Sequence, residues 1–281
     1  SRAPRRAARR AAGALRPPGE ISFNNKYSKN EYNYDKRTVI INAEKTDLSL
    51  ISAGTFTFRE IPAGILRIDE GGKRDIPISS FYMMETEIRK DQYELFLKTN
   101  PEWRKDNADA LMAQDFISKD YLADISRWEG KTDHPVAFVS RYAAEAFCGW
   151  LESEYSEQLS GYTVRLPTEW EWEYAALGNG RNEEDKNTAD PGPVPVTLMQ
   201  PGDYSLRGMG TGLWEWCSDW FFPNSLLFYD LESDFDGTVA PVRGGSWANN
   251  EKIAFTARGH QPPSWCTPFL GFRPVLFPDQ Q

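Results

Sequence analysis

The chain has 281 residues, 40% of them hydrophobic, with ten Trp and sixteen Phe, which is apolar material for one large core, and one main domain is expected. With the six Arg and one Glu of the first twenty residues set aside, 26 basic and 40 acidic residues leave a net charge of −14. Such a surface repels phosphate backbones and speaks against a nucleic-acid partner. The apolar runs fall short of the roughly 20 residues that span a bilayer.

Residues 1–20 are Arg-, Ala- and Pro-rich and break sharply into the Asn-, Lys- and Tyr-rich stretch that follows, so they are expected to be an appended leader foreign to the domain. Residues 21–47 lack periodicity and are read as an extended arm, and the domain proper as residues 48–281. Leu48 to Phe58 ends in alternating Thr and Phe, as a half-buried strand does, and Ile76 to Met84 reads as a second strand. Glu87 to Lys98 is expected to be a helix carrying Ile88, Leu95 and Phe96 inward. Residues 100–133 form a charged and aromatic insertion without a clear pattern.

Ser140 then has the chemistry of a helix cap, and Ala143, Ala146, Phe147, Trp150 and Leu151 repeat at helical spacing behind it. Cys148 lies one position off that stripe and is read as a packing residue. Thr168-Glu169-Trp170-Glu171 is a capping box: the Thr168 hydroxyl accepts an amide proton from the third helical residue, whose carboxylate accepts one from Thr168. The helix it opens should run from Glu169 to Leu177 and stop at Gly178. Glu169, Glu171 and Glu173 within it are spaced to diverge rather than to form an acid/base pair. Asn179 to Pro195 is a polar, Pro- and Gly-rich surface loop.

Cys148, Cys217 and Cys266 form no CxxC pair, and with only His134 and His260 a three-histidine centre is excluded, so neither a metal nor another cofactor is expected. The most unusual segment runs from Arg258 to Arg273. His260, Trp265, Cys266 and Phe269 stand among prolines where a loop normally spends polar residues. That composition fits a surface made to touch something, or a loop tucked onto the core.

Four segments resemble one family in order and approximate spacing. They are Arg165-Leu-Pro-Thr-Glu-Trp-Glu-Trp-Glu-Tyr-Ala-Ala176, Trp214-Glu-Trp-Cys-Ser-Asp-Trp220, Arg243-Gly-Gly-Ser-Trp247 and Gly271-Phe-Arg273. Together they resemble the formylglycine-generating enzyme/sulfatase-modifying-factor domain over about residues 48–276. The resemblance implies a C-type-lectin-like fold, an irregular α+β architecture whose long loops are held by aromatic packing. Trp214, Trp216 and Trp220 are then loop anchors, and Arg243 and Arg273 clamps on carbonyls or carboxylates. Glu215 and Asp219 are expected to accept hydrogen bonds rather than bind an ion, because Gly212 replaces the Asn of calcium-binding relatives.

The oxidases of that family bind copper(I) through two thiolates, and here Asn249 and Ala254 stand in their places. Catalysis is therefore not expected. The intact Arg258 and Gly271-Phe-Arg273 ends around altered loop residues resemble the variable proteins of diversity-generating retroelements, such as treponemal variable lipoproteins. This implies a noncatalytic, receptor-like protein at the cell surface or otherwise extracytoplasmic, binding a protein or cell-surface ligand, with room for a lipid anchor. The expected contacts are Trp247, Asn249, Glu251, His260, Gln261, Ser264, Trp265, Cys266, Thr267 and Phe269. The alternatives are a structural pseudoenzyme of a cell-envelope assembly and a formylglycine-generating-type oxidase.

Overall fold

The computed structural model describes residues 38–41, 50–68, 74–178, 193–221, 238–248 and 257–279. In chain order the strands and helices are β1 (Thr38–Ile41), β2 (Leu50–Ala53), β3 (Phe56–Ile61), β4 (Gly64–Ile68), β5 (Arg74–Ile78), β6 (Phe81–Met84), α1 (Lys90–Thr99), α2 (Asp109–Ala113) and α3 (Arg141–Glu154). There follow β7 (Tyr162–Arg165), α4 (Glu169–Leu177), β8 (Trp214–Trp216), β9 (Ala240–Arg243), β10 (Arg258–Gln261), β11 (Leu270–Gly271) and β12 (Val275–Pro278).

Three sheets organise the domain, in the orders β1-β4-β5, β2-β3-β6-β12-β7 and β10-β9-β8-β11. The strand expected from Leu48 to Phe58 is a hairpin instead. Gly54 takes a φ of +58° in the turn, and Ala53 pairs with Phe56 across it. The strand expected over Ile76 to Met84 likewise divides at Ser79-Ser80, sending β5 to one sheet and β6 to another.

Helix α1 begins three residues later than its pattern suggests. Arg89 is extended and bridges to Pro135, while its amide donates to the Gln92 side chain, so Ile88 is buried ahead of the helix. Of the residues expected to face inward, Phe96 is buried and Leu95 only partly so. The 100–133 segment folds into short 3-10 turns, α2 and bends, closed onto the core by Trp128 and by a 2.8 Å hydrogen bond between the Tyr121 and Tyr93 hydroxyls.

The main core is aromatic. Tyr93 stacks on Phe147 at 5.7 Å, and Phe272 meets both edge-on. Such rings anchor long connections without a regular ladder of backbone bonds, which is how a loop-rich α+β fold buries its apolar surface. Both expected caps are present: Ser140 accepts from the Ala143 amide at 3.0 Å, and Thr168 and Glu171 close the reciprocal box that opens α4. The expected loop at 179–195 lies outside the described residues up to position 192, as do the leader and most of the arm.

Candidate functional site

The frame of the carboxy-terminal loop is built by pairing arginines with carboxylates. Along α4, Glu169, Glu171 and Glu173 diverge, as their spacing requires, and each meets a different arginine. Arg258 grips Glu169 with Nε and with Nη2 at 2.7 Å, Arg165 grips Glu171 with two bonds of 2.7 Å, and Arg243 reaches the fully buried Glu173. The two-pronged geometry at Arg258 and Arg165 fixes orientation as well as distance, and the Arg258 and Arg243 pairs tie β10 and β9 to α4.

Arg273 performs the same task at the other end of the loop, paired with Glu215 and donating to the carbonyls of Met84, Glu85 and Arg207. Glu215 also accepts from the Trp172 indole at 2.8 Å, and Asp219 accepts the amide of Glu169 at the start of α4. Both acids thus act as hydrogen-bond acceptors, and Arg243 and Arg273 as carboxylate clamps.

Gly212 has a reason in packing. A Cβ there would come within 2.3 Å of Glu87 Oε2, because the buried Glu87 carboxyl fills the space in which a side chain would sit. Glu87 accepts the Leu213 amide at 2.6 Å, and Oε2 is buried without a hydrogen-bond partner. Burial first, and the neighbouring Glu215 charge second, push its pKa up to about 8 against the opposing pull of Arg273.

Between the clamps, the loop is pinned by backbone bonds. The Arg141 amide at the start of α3 donates to Pro263, the Phe138 amide donates to Thr267, and the Cys266 amide donates to the Ser118 hydroxyl. Trp265 is exposed at 38% in the middle of these anchors. Trp247 and Phe269 are partly exposed and pack together with ring centroids 5.3 Å apart. His260 is partly buried and lies 4.2 Å from the Phe221 ring, and the Arg258 guanidinium lies 4.0 Å from the same ring. Burial, then the charge of Arg258, lowers the His260 pKa against an opposing pull from Glu169.

Three of the expected outward contacts point inward. In β10, His260 pairs with Pro241 and Gln261 with Ala240, so the two-residue period turns Gln261 to the core side, where it is 3% exposed. Cys266 is also 3% exposed and joins the main core beneath the 100–133 segment, and Ser264 is buried at 8%. Thr267 remains partly exposed, whereas Asn249 and Glu251 lie outside the described residues. Residues the sequence left unmarked flank the loop's contacts: Phe116 precedes Ser118 by two, Tyr142 follows Arg141, and Phe221 meets His260 and Arg258. Phe116 is exposed at 37%, an apolar ring among charged neighbours, and that contrast was readable in the sequence.

Copper(I) held by two thiolates does not fit these residues. Cys148, Cys217 and Cys266 sit on separate elements, each buried and free, and burial raises all three thiols, Cys266 to about 12. Asn249 and Ala254 offer no soft donor, and among the described residues His, Cys, Asp and Glu form no cluster of three suited to a metal.

A rigid α+β scaffold with buried arginine clamps, aromatic anchors and a displayed carboxy-terminal loop defines a formylglycine-generating-enzyme-like domain. The chain belongs to the sulfatase-modifying factor enzyme 1-like (FGE-sulfatase) domain family, whose profile matches residues 36–276. It is similar to an uncharacterized protein of Borreliella burgdorferi, 24% identical over 200 residues that cover 71% of this chain and 37% of that protein. It is also similar to the formylglycine-generating enzyme of Streptomyces coelicolor, 31% identical over 179 residues covering 51% of this chain and 53% of the enzyme. The chain thus spans between a third and about half of these relatives' lengths. Among solved structures, Treponema denticola variable protein 1 superposes with a TM-score of 0.59 at 19% identity, covering 83% of this chain and all of that one. That likeness establishes the shared fold. The family's relatives include named enzymes, and among the described residues no helix is long and apolar enough to cross a membrane.

Proposed function

We propose that this domain is a noncatalytic ligand-binding module that displays a recognition surface on its carboxy-terminal loop, of the kind found in retroelement-diversified variable proteins. One observation carries the reading: Arg258 and Arg273, at the two ends of the loop, are locked to carboxylates, while Trp265 between them faces solvent. A fixed backbone with replaceable side chains lets specificity change without loss of stability. The anchors are Trp265, Phe269, Trp247 and His260, with Thr267, Asn249 and Glu251 as polar partners; Gln261, Ser264 and Cys266 support the loop from beneath. The ligand is a protein or a cell-surface molecule, and an extracytoplasmic setting suits that task.

The test has two arms. Replacing Trp265, Phe269 and His260 by Ala should abolish binding to ligands captured by the unaltered domain, and unchanged binding to all of them would falsify the site. Sequencing beside the gene should find a near-copy of its 3′ end, differing mainly at adenines, with a reverse transcriptase nearby. A second reading, a pseudoenzyme component of an envelope assembly, draws support from an open depression of about 570 Å³ between α1 and the insertion, lined by Glu94, Leu97, Lys98, Arg104, Lys105, Asp106 and Ile125. Copurification that survives the loop substitutions and is lost on changing this depression favours it.

A further inference from the structure

Trp265 does not stand alone on the surface. The turn that carries it is pinned on both sides: Pro263 accepts the Arg141 amide, next to Tyr142, and the Cys266 amide donates to Ser118, two residues on from Phe116, while the Tyr142 and Phe116 rings meet edge-on at 5.2 Å. Trp265 and Phe116 are both exposed, and Tyr142 is partly so. Exposed or half-exposed aromatic side chains from two other parts of the chain therefore lie within two residues of the points that pin the loop on either side of Trp265.

The charge around this patch has a sign. Asp115, Asp120 and Glu145 are exposed, with Lys119 the opposing exposed cation of the 115–120 segment. Arg141 answers part of the Glu145 charge through Nε, while its other nitrogens donate to the carbonyls of Ser218 and Asp219 and its guanidinium lies 4.7 Å from the Trp220 ring, so Asp115 and Asp120 are the acids left to the patch. Partial burial, then the charge of Glu145, raise the Tyr142 hydroxyl, with Arg141 opposing and Asp115 adding to the rise. Asp115 has a left-handed backbone, φ 58°, that Asp and Asn tolerate better than bulkier residues.

Aromatic faces edged by carboxylates suit one chemistry well. A lysine or arginine head lies over a ring and meets the acids, while its aliphatic stem covers apolar surface. We propose that the 100–133 insertion and α3 extend the loop's recognition surface into an aromatic, acid-edged platform formed by Trp265, Phe116 and Tyr142, whose ligand is a Lys- or Arg-bearing protein segment. The inference rests on the ligand-binding reading of the loop and names the partner's chemistry. The chain's net negative charge works in the same direction.

The probes are two short peptides of equal length, one alternating lysine and leucine, the other glutamate and leucine, added to the whole chain labelled with 5-fluorotryptophan. The Trp265 fluorine resonance is assigned by its loss in Trp265→Phe. The lysine peptide should shift that resonance saturably and the glutamate peptide should leave it in place. Phe116→Ala with Tyr142→Ala should weaken binding about tenfold, and Asp115→Asn with Asp120→Asn should remove most of its salt dependence. Equal shifts from both peptides, or undiminished affinity without Phe116 and Tyr142, overturn the platform. If Trp265→Ala abolishes binding in that last case, the loop reading survives alone. If captured ligands and the lysine peptide both bind the Trp265→Ala chain as before, both readings fail. Asp115→Asn retains the left-handed backbone, so its result stands even where the double alanine variant unfolds.

Discussion

Arg273 and Glu215 form a wholly buried ion pair, with Nη2 2.8 Å from Oε1 and Nε 2.9 Å from Oε2. The same guanidinium donates to Met84 at the end of β6, while Glu215 lies in β8, so one pair joins two sheets at the carboxy-terminal foot of the loop. Removing one partner leaves the other charged, desolvated and unpaired. Arg273→Met should therefore cost about 3–5 kcal/mol in urea unfolding, and adding Glu215→Met should restore part of that loss. A single variant as stable as the parent would show that the pair is dispensable to the frame.

The capping box offers a smaller, cleaner measure. Thr168→Ala removes the acceptor of the Glu171 amide, while the Glu171 carboxylate retains its bonds to Arg165. The expected loss is about 1 kcal/mol, visible as a lower thermal midpoint. Because α4 carries the partners of Arg258 and Arg243, ligand affinity at the loop should fall as well if α4 frays.

Glu87 gives the pH dependence a definite sign. Its folded pKa of about 8 lies above the ordinary 4.5, so between those values the folded protein holds a proton that the unfolded chain has released. Stability from this group is full below about pH 4.5, falls as pH rises toward 8, and is level beyond. Glu87→Gln keeps the Leu213 bond and should flatten that slope in unfolding measured across the window. A slope unchanged by the substitution removes Glu87 as its source.

Helix caps, the extent of α4 and the Arg and Glu roles were legible in the sequence because each depends on neighbours along the chain or on charge with few ways to be buried. Sheet membership was less so. Nothing in the local alternation of Ile76 to Met84 says that Ser79-Ser80 hands the chain from one sheet to another. At the loop, register was readable and facing was not: Gln261 and Cys266 look as presentable as Trp265 until β9, Ser118 and Tyr121 are placed around them. Phe116 and Tyr142 are far apart in sequence, so only folding brings their rings together.

The loop's outward surface is therefore narrower than its composition suggests, and saturation mutagenesis read by protease resistance can measure it. Position 265 should accept nearly any residue within about 0.5 kcal/mol, since the Trp265 ring is exposed and has no side-chain hydrogen bond among the described residues. Position 266 should not. Cys266 is packed in the main core with its thiol directed to the Ser264 carbonyl, so Cys266→Asn brings an amide with too few partners into that space and should cost about 1–3 kcal/mol. The same burial predicts that an aqueous thiol reagent labels none of the three cysteines in the folded protein and all of them in urea. Tolerance at position 266 equal to that at 265, with rapid labelling of Cys266 in the folded state, would mean that the loop lifts from the core and presents both faces.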